Sequence, residues 1–121
     1  MKYLFIFALL IGSACASTGN LSTHGKSMYY ADEAVRTLGL MQSAAIALND
    51  QQQLTEDSTR KVVVFVKSSV TTAKSAADGW PSIIETGLNQ LEVSLGPDSP
   101  KLALYTTTLR TLFQSVREVM K

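Results

Sequence analysis

The sequence predicts an all-α protein folded as an antiparallel, up-down-up-down four-helix bundle. Apolar residues recur at intervals of three and four residues through four segments, and this spacing gives a helix one apolar face. Start and stop signals for helices separate the segments, and the connections, residues 53–54, 78–80 and 96–98, are short. Short connections place consecutive helices side by side in opposite directions, so the four helices are expected to close into a bundle.

The first two helices are predicted over residues 27–52 and 55–77. In the first, the apolar face comprises Tyr30, Ala34, Leu38, Met41, Ala45 and Leu48. In the second, Thr55 is the expected N-cap because two acidic residues follow it in the first turn. The β-branched run at residues 62–66 favours a strand by propensity alone. The apolar helical spacing continues beyond this run, however, and we therefore predict helix.

The third and fourth helices are predicted over residues 81–95 and 99–120. Pro81 suits the first position of a helix, where its missing N–H costs nothing. Gly96 and Pro97 form a stop signal after the third helix. Ser99 followed by Pro100 is then the predicted start of the fourth helix.

The first residues of the chain have the order of a secretory signal peptide. Lys2 precedes an apolar run over residues 3–11, and the small residues 12–16 follow. The apolar run is about half the roughly 20 residues that a membrane-spanning helix needs. We expect residues 1–16 to be a signal peptide, residues 17–26 to be a flexible linker rich in Ser, Thr and Gly, and residues 27–121 to be the helical domain.

Two processing routes remain open for this leader. Residues 14–16 read Ala-Cys-Ala and fit cleavage before Ser17. Residues 12–15 instead resemble the lipobox of bacterial lipoproteins, although Gly12 stands where that family prefers an aliphatic residue. The resemblance implies that Cys15 becomes the mature N-terminus and carries a lipid. Ala16 after it resembles an outer-membrane signal, which implies the periplasmic side of the outer membrane; without the lipid we expect a periplasmic or secreted protein.

The composition disfavours several classes of site. Of the 121 residues, 17% are charged, the net charge is +1, and there is one cysteine and one histidine. A single cysteine excludes an internal disulfide, and one Cys with one His is too few for a tetrahedral zinc site. The histidine, His24, falls in the predicted linker rather than on a helix, so we expect no haem, no di-iron centre and no other cofactor. Nucleic-acid binding is not expected, because basic residues do not cluster.

Catalysis is not expected from this sequence either. The sequence contains no G-x-S-x-G motif. The neighbouring acidic residues are Asp32 with Glu33, Glu56 with Asp57, and Glu85 with Glu92. We interpret them as solvated surface charges. A carboxylate-based enzyme stays as an alternative, and it would need two acids from different helices in a cleft with one displaced pKa.

Two features are candidates for a partner surface. Thr107, Thr111 and Ser115 are spaced four residues apart and form a hydroxyl row along the fourth helix. Because desolvating hydroxyls costs less than desolvating ions, such a row suits association. Trp80 lies in a predicted loop, where it could anchor a partner or could cap the end of the bundle over the second and third helices.

Taken together, these observations predict a small exported envelope protein with a non-enzymatic structural or interaction role. Its expected partners are the membrane, through a lipid on Cys15, and an envelope protein or a second copy. The mature part resembles small exported helical proteins of bacteria and phages, without a diagnostic motif. The alternative is a periplasmic binder of a small ligand or cofactor, with the ligand inside the bundle among Met41, Phe65, Leu88 and Phe113.

Overall fold

The computed structural model describes residues 23–120, and this part of the chain is all-α, as predicted. The α-helices are α1 (Thr23–Asp50), α2 (Glu56–Ser75), α3 (Trp80–Leu95) and α4 (Ala103–Met120), with 3-10 helices at Ala77–Gly79 and Gly96–Leu102. Residues 23–120 contain no β-strand. The predicted signal peptide, including Cys15, lies outside the described residues.

Helix α1 begins four residues earlier than the sequence suggested. Residues 23–26 were expected to belong to a flexible linker, and this part of the prediction was wrong because α1 starts at Thr23. Ser27 and Tyr30 are both buried, so tertiary contacts hold the early turns of α1. This packing stabilises a helical start that local composition alone does not indicate.

Helix α2 follows the sequence-based prediction closely. The side chain of Thr55 accepts a hydrogen bond from the backbone N–H of Ser58 at 3.1 Å, which is the expected N-cap. The valine-rich run is helical: Val62 and Val66 are buried on the core side, whereas Val64 is 61% exposed. Helical periodicity therefore overrides β-propensity in this segment.

The start of the fourth helix differs from the prediction. Ser99 and Pro100 were expected to begin an α-helix, but residues 96–102 form a 3-10 helix and α4 begins only at Ala103. Asp98, within this stretch, accepts hydrogen bonds from Ser58 Oγ at 2.8 Å and from Lys101 Nζ at 3.0 Å. Because the segment is attached to the start of α2 in this way, its conformation depends on a contact distant in sequence.

The core receives side chains from all four α-helices. Its wholly buried large members include Leu38, Met41, Val62, Trp80, Ile84, Leu88, Leu109, Phe113 and Val116. Helix α1 contacts α2 and α4, and α3 contacts the same two helices. Every buried side-chain nitrogen and oxygen of the described residues has a hydrogen-bond partner. Among residues 23–120, no helix combines the length and apolar character that crossing a membrane requires.

Candidate interaction surfaces

Trp80 is part of the core and does not offer a free surface. Its side chain is 0% exposed. Its indole Nε1 donates to Ser27 Oγ at 3.2 Å, and its ring meets Phe113 edge-on with 6.2 Å between centroids. The interpretation of Trp80 as a partner surface is therefore wrong, because its side chain is fully enclosed. Through these two contacts Trp80 joins α3 to α1 and α4, and its burial agrees with the alternative in which it packs within the bundle.

The hydroxyl row of α4 lies largely in solvent. Thr107 and Thr111 are exposed and Ser115 is half-buried. Thr111 Oγ1 donates to the carbonyl oxygen of Thr107 at 3.1 Å, and Ser115 Oγ donates to that of Thr111 at 3.0 Å. The hydroxyl protons of Thr111 and Ser115 are thus used within the helix, and the lone pairs of these two oxygens remain available to accept hydrogen bonds.

A groove of about 500 Å³ runs along the outside of the protein between α2 and α3. Its residues include Val64, Phe65, Ile83, Gly87 and Leu91, and hydroxyl-bearing side chains of α2 lie beside them. Val64 is 61% exposed and Ile83 is 54% exposed, so large apolar side chains remain in water along this groove. The groove is not visible in the sequence, because it depends on which faces of α2 and α3 meet.

Gly87 allows α2 and α3 to approach each other within this groove. A Cβ atom at position 87 would lie 3.3 Å from Cε1 of Phe65, which is closer than ordinary van der Waals contact. The phenyl ring of Phe65 therefore packs against the backbone of α3. A single glycine within a predicted helix is the sequence signal that could have indicated this close approach.

Basic side chains follow the exposed side of α2. After the first turn, this helix carries Arg60, Lys61, Lys67 and Lys74 and no acidic residue. Arg60, Lys67 and Lys74 are exposed and are spaced seven residues apart, which places them along one side of the helix. Glu85 and Glu92, the acids of α3, form ion pairs with Arg117 and Arg110 of α4 instead.

Several of the ten acidic residues form ion pairs with lysine or arginine, among them Asp57 and Asp98. All ten lie within residues 23–120, and each is exposed or half-buried. Hydrogen bonds from Arg60 and then Lys61 hold the pKa of Asp57 below its ordinary value. Hydrogen bonds from Ser58 and then Lys101 do the same to the pKa of Asp98. Both shifts favour the ionised carboxylate, whereas a general acid needs a raised pKa.

The predicted ligand-binding interior is closely packed. Met41, Leu88 and Phe113 are wholly buried in the core, and of the four residues named for that interior, Phe65 alone lines the outer groove. Within the described part of the chain, no group of three or more His, Cys, Asp or Glu residues is placed to hold a metal ion.

Comparison of the chain with protein-family models, with curated proteins and with solved structures finds no match. Function must therefore be inferred from the residues themselves. Three features bear on it: the sequence of residues 1–16 with its single cysteine, the hydroxyl row of α4, and the groove between α2 and α3 with the basic side chains next to it.

Proposed function

We propose that the chain is a small exported envelope protein, anchored by a lipid on Cys15, with a non-enzymatic role in binding a partner. The observation that carries this proposal is the order of residues 1–16: a basic start, a short apolar run, and small residues that contain the single cysteine of the sequence. The neutral hydroxyl row and the exposed apolar groove support an interaction role. Association on the hydroxyl row buries polar groups without desolvating charged side chains.

The arrangement that we propose for the domain is an antiparallel up-down-up-down four-helix bundle. The ion pairs between α3 and α4 support it, because the earlier acid of α3, Glu85, pairs with the later arginine, Arg117, and Glu92 pairs with Arg110. This reversed order is that of antiparallel neighbours. The contacts of α1 and α3 with both α2 and α4 are those of a closed four-helix arrangement.

The partner surface that we propose within this role is the row Thr107, Thr111 and Ser115. The surface is uncharged, and desolvating it on association costs less free energy than desolvating an ionic surface would. Introducing lysine at Thr107 and Thr111 should weaken capture of a partner from envelope extracts. The same two substitutions at Ser82 and Thr86, exposed hydroxyl residues of α3 that are also four residues apart, provide a matched control.

The anchor is tested by mass spectrometry of the mature protein from a bacterial envelope. A diacylglycerol adduct on an N-terminal Cys15 supports the proposal, and a Cys15→Ser chain should then leave the membrane fraction. An unmodified chain beginning at Ser17 overturns the lipid anchor and leaves a periplasmic or secreted protein.

A small-ligand binder is the second candidate function, and the groove between α2 and α3 is the observation that favours it. A volume of about 500 Å³ lies within the range of ligand sites, although this groove is open on the surface rather than inside the domain. Saturable binding of a small apolar molecule that Ile83→Gln abolishes would favour this function over protein association.

A further inference from the structure

We propose that the outer side of α2 and α3 lies against an anionic lipid surface. We call this side the lipid face and define it by the exposed cations Arg60, Lys67 and Lys74 and by the exposed apolar residues Val64 and Ile83. The inference deepens the proposed anchoring and rests on it, because an anchored domain stays next to a membrane. The groove alone is not the site; its combination with a row of cations selects the partner.

The charges of this face are complementary to anionic headgroups. Arg60, Lys67 and Lys74 follow one another at two-turn intervals, over about 21 Å of helix. The nearby acids of α2 and of the following 3-10 helix lie at the ends: Glu56 and Asp57 in the first turn of α2, and Asp78 in the 3-10 helix. Asp57 pairs with Arg60, so Lys67 and Lys74 carry most of the net positive charge of this face. The middle of the face is therefore positive in a chain whose net charge is only +1. Basic residues next to an anionic leaflet gain electrostatic attraction that falls off within a Debye length.

The apolar residues give the face a second means of binding lipid. Val64 precedes Lys67 by one turn of α2, and Ile83 lies across the groove on α3. Both side chains are more than half exposed, so moving them into the headgroup boundary removes apolar surface from water. A binding surface that combines basic and apolar side chains is typical of segments that lie on membranes.

The position of the lipid face relative to the anchor also fits this orientation. Ser27, near the start of α1, bonds to Trp80 at the start of α3, so the N-terminal end of α1 lies beside the end of α2 that carries Lys74. Seven residues separate Cys15 from Thr23, so the two residues can be at most about 29 Å apart. A lipid on Cys15 therefore keeps this end of the domain close to the bilayer. One chain plus a polybasic surface is a combination that gives stable anchoring.

The test is vesicle co-sedimentation of the chain that begins at Ser17, which is one of the two mature forms and contains every described residue. Vesicles of phosphatidylcholine alone are compared with vesicles that also contain phosphatidylglycerol. We expect binding to the anionic vesicles that weakens as salt is added. Lys67→Gln with Lys74→Gln should lower the partition coefficient on the order of 10-fold.

Matched controls distinguish binding through the lipid face from non-specific binding through charged or apolar residues elsewhere on the protein. Arg36→Gln removes one exposed positive charge from α1 and should change binding far less than Lys67→Gln alone. Ile83→Gln should weaken binding, whereas Leu104→Gln, at a side chain 55% exposed on α4 against 54% for Ile83, should not. Circular dichroism checks that each variant is folded.

Three outcomes would overturn the proposal: equal binding to neutral and anionic vesicles, an equal loss in the α1 control, or self-association that the Ile83 variant abolishes without any vesicle binding. The last result would mean that this face binds a second copy of the chain instead of a lipid surface. Because the tested chain lacks Cys15, these outcomes would reject the lipid face and would say nothing about the lipid anchor. An unmodified Cys15 in the mass spectrum would reject the anchor, and the vesicle measurement would still stand.

Discussion

The indole Nε1 of Trp80 donates a hydrogen bond to Ser27 Oγ at 3.2 Å, joining residues 53 positions apart in the sequence. Both side chains are completely buried, and the ring of Trp80 also packs edge-on against Phe113. The start of α1, the start of α3 and the later part of α4 therefore meet at this point. A buried indole N–H needs an acceptor, and Ser27 supplies it.

Removing that acceptor should destabilise the protein. We expect Ser27→Ala to lower the free energy of unfolding by about 1–3 kcal/mol, because the indole N–H stays buried without a partner. Urea unfolding followed by circular dichroism measures the change. In a Trp80→Phe background the same Ser27→Ala substitution should cost clearly less, because the donor is gone as well.

The matched control for Ser27→Ala is Ser43→Ala on the exposed side of the same helix, which should leave stability nearly unchanged. Additive effects of Ser27→Ala and Trp80→Phe would contradict the coupling that the hydrogen bond implies.

Two glycines within helices should respond differently to alanine. At Gly39 a Cβ atom meets nothing within 4 Å, so Gly39→Ala should stabilise the protein by about 0.5–1 kcal/mol through helix propensity. At Gly87 the added atom lies 3.3 Å from Cε1 of Phe65. Gly87→Ala should therefore stabilise the protein less than Gly39→Ala does, or should destabilise it. Thermal unfolding compares the two variants. Equal stabilisation at both positions would show that α2 and α3 do not approach closely at Gly87.

Local patterns predict the helices well where a helix depends on its own residues. The N-cap at Thr55 and the helical conformation of the valine run were both predicted, because acids in the first turn and a continuing apolar face are visible in sequence. The start of α4 was not, because Asp98 bonds to Ser58 forty positions earlier. A contact at that separation leaves no periodic signal near Ser99 and Pro100.

The candidate surfaces, like the helices, could be predicted only where they depend on the residues of a single helix. The exposure of Thr107 and Thr111 follows from their helical spacing opposite the apolar face of α4. The burial of Trp80 does not follow from its neighbours, because its acceptor, Ser27, lies on another helix, 53 positions away in the sequence. The groove between α2 and α3 was missed for a related reason. The spacing of apolar residues shows which face of a helix is buried, but it does not show which other helix packs beside that face.

The contact between the 3-10 helix Gly96–Leu102 and the start of α2 should contribute less stability in acid. Hydrogen bonds from Ser58 and Lys101 lower the pKa of Asp98 in the folded protein below the ordinary value of 3.8. A lowered folded pKa contributes stability that is present above the unfolded value and is lost as the pH falls through the folded one. We therefore expect this contribution to disappear as the pH drops below about 4.

Asp98→Asn should flatten this part of the pH dependence of unfolding, measured by urea titration at a series of pH values. If Asp98→Asn loses stability at low pH as the unchanged protein does, the carboxylate of Asp98 does not hold the 3-10 segment to α2.

The ion pairs between α3 and α4 predict which charge reversals compensate each other. Arg117 pairs with Glu85, and Arg110 pairs with Glu92 and also donates to Asn89 Oδ1 at 2.8 Å. Because these pairs are partly exposed, Arg117→Glu alone should cost at most about 1 kcal/mol. The double reversal Glu85→Arg with Arg117→Glu should recover most of this loss, because opposite charges face each other again.

The crossed combination, Glu92→Arg with Arg117→Glu, is the matched control, since it has the same net charge but should leave like charges facing each other in both pairs. It should remain destabilised in urea unfolding at low salt, and the difference between the two doubles should shrink in about 1 M salt, where the Debye length is about 3 Å. Recovery by the crossed double instead would mean that the later arginine faces the later acid. The two helices would then be parallel, which is incompatible with an antiparallel bundle.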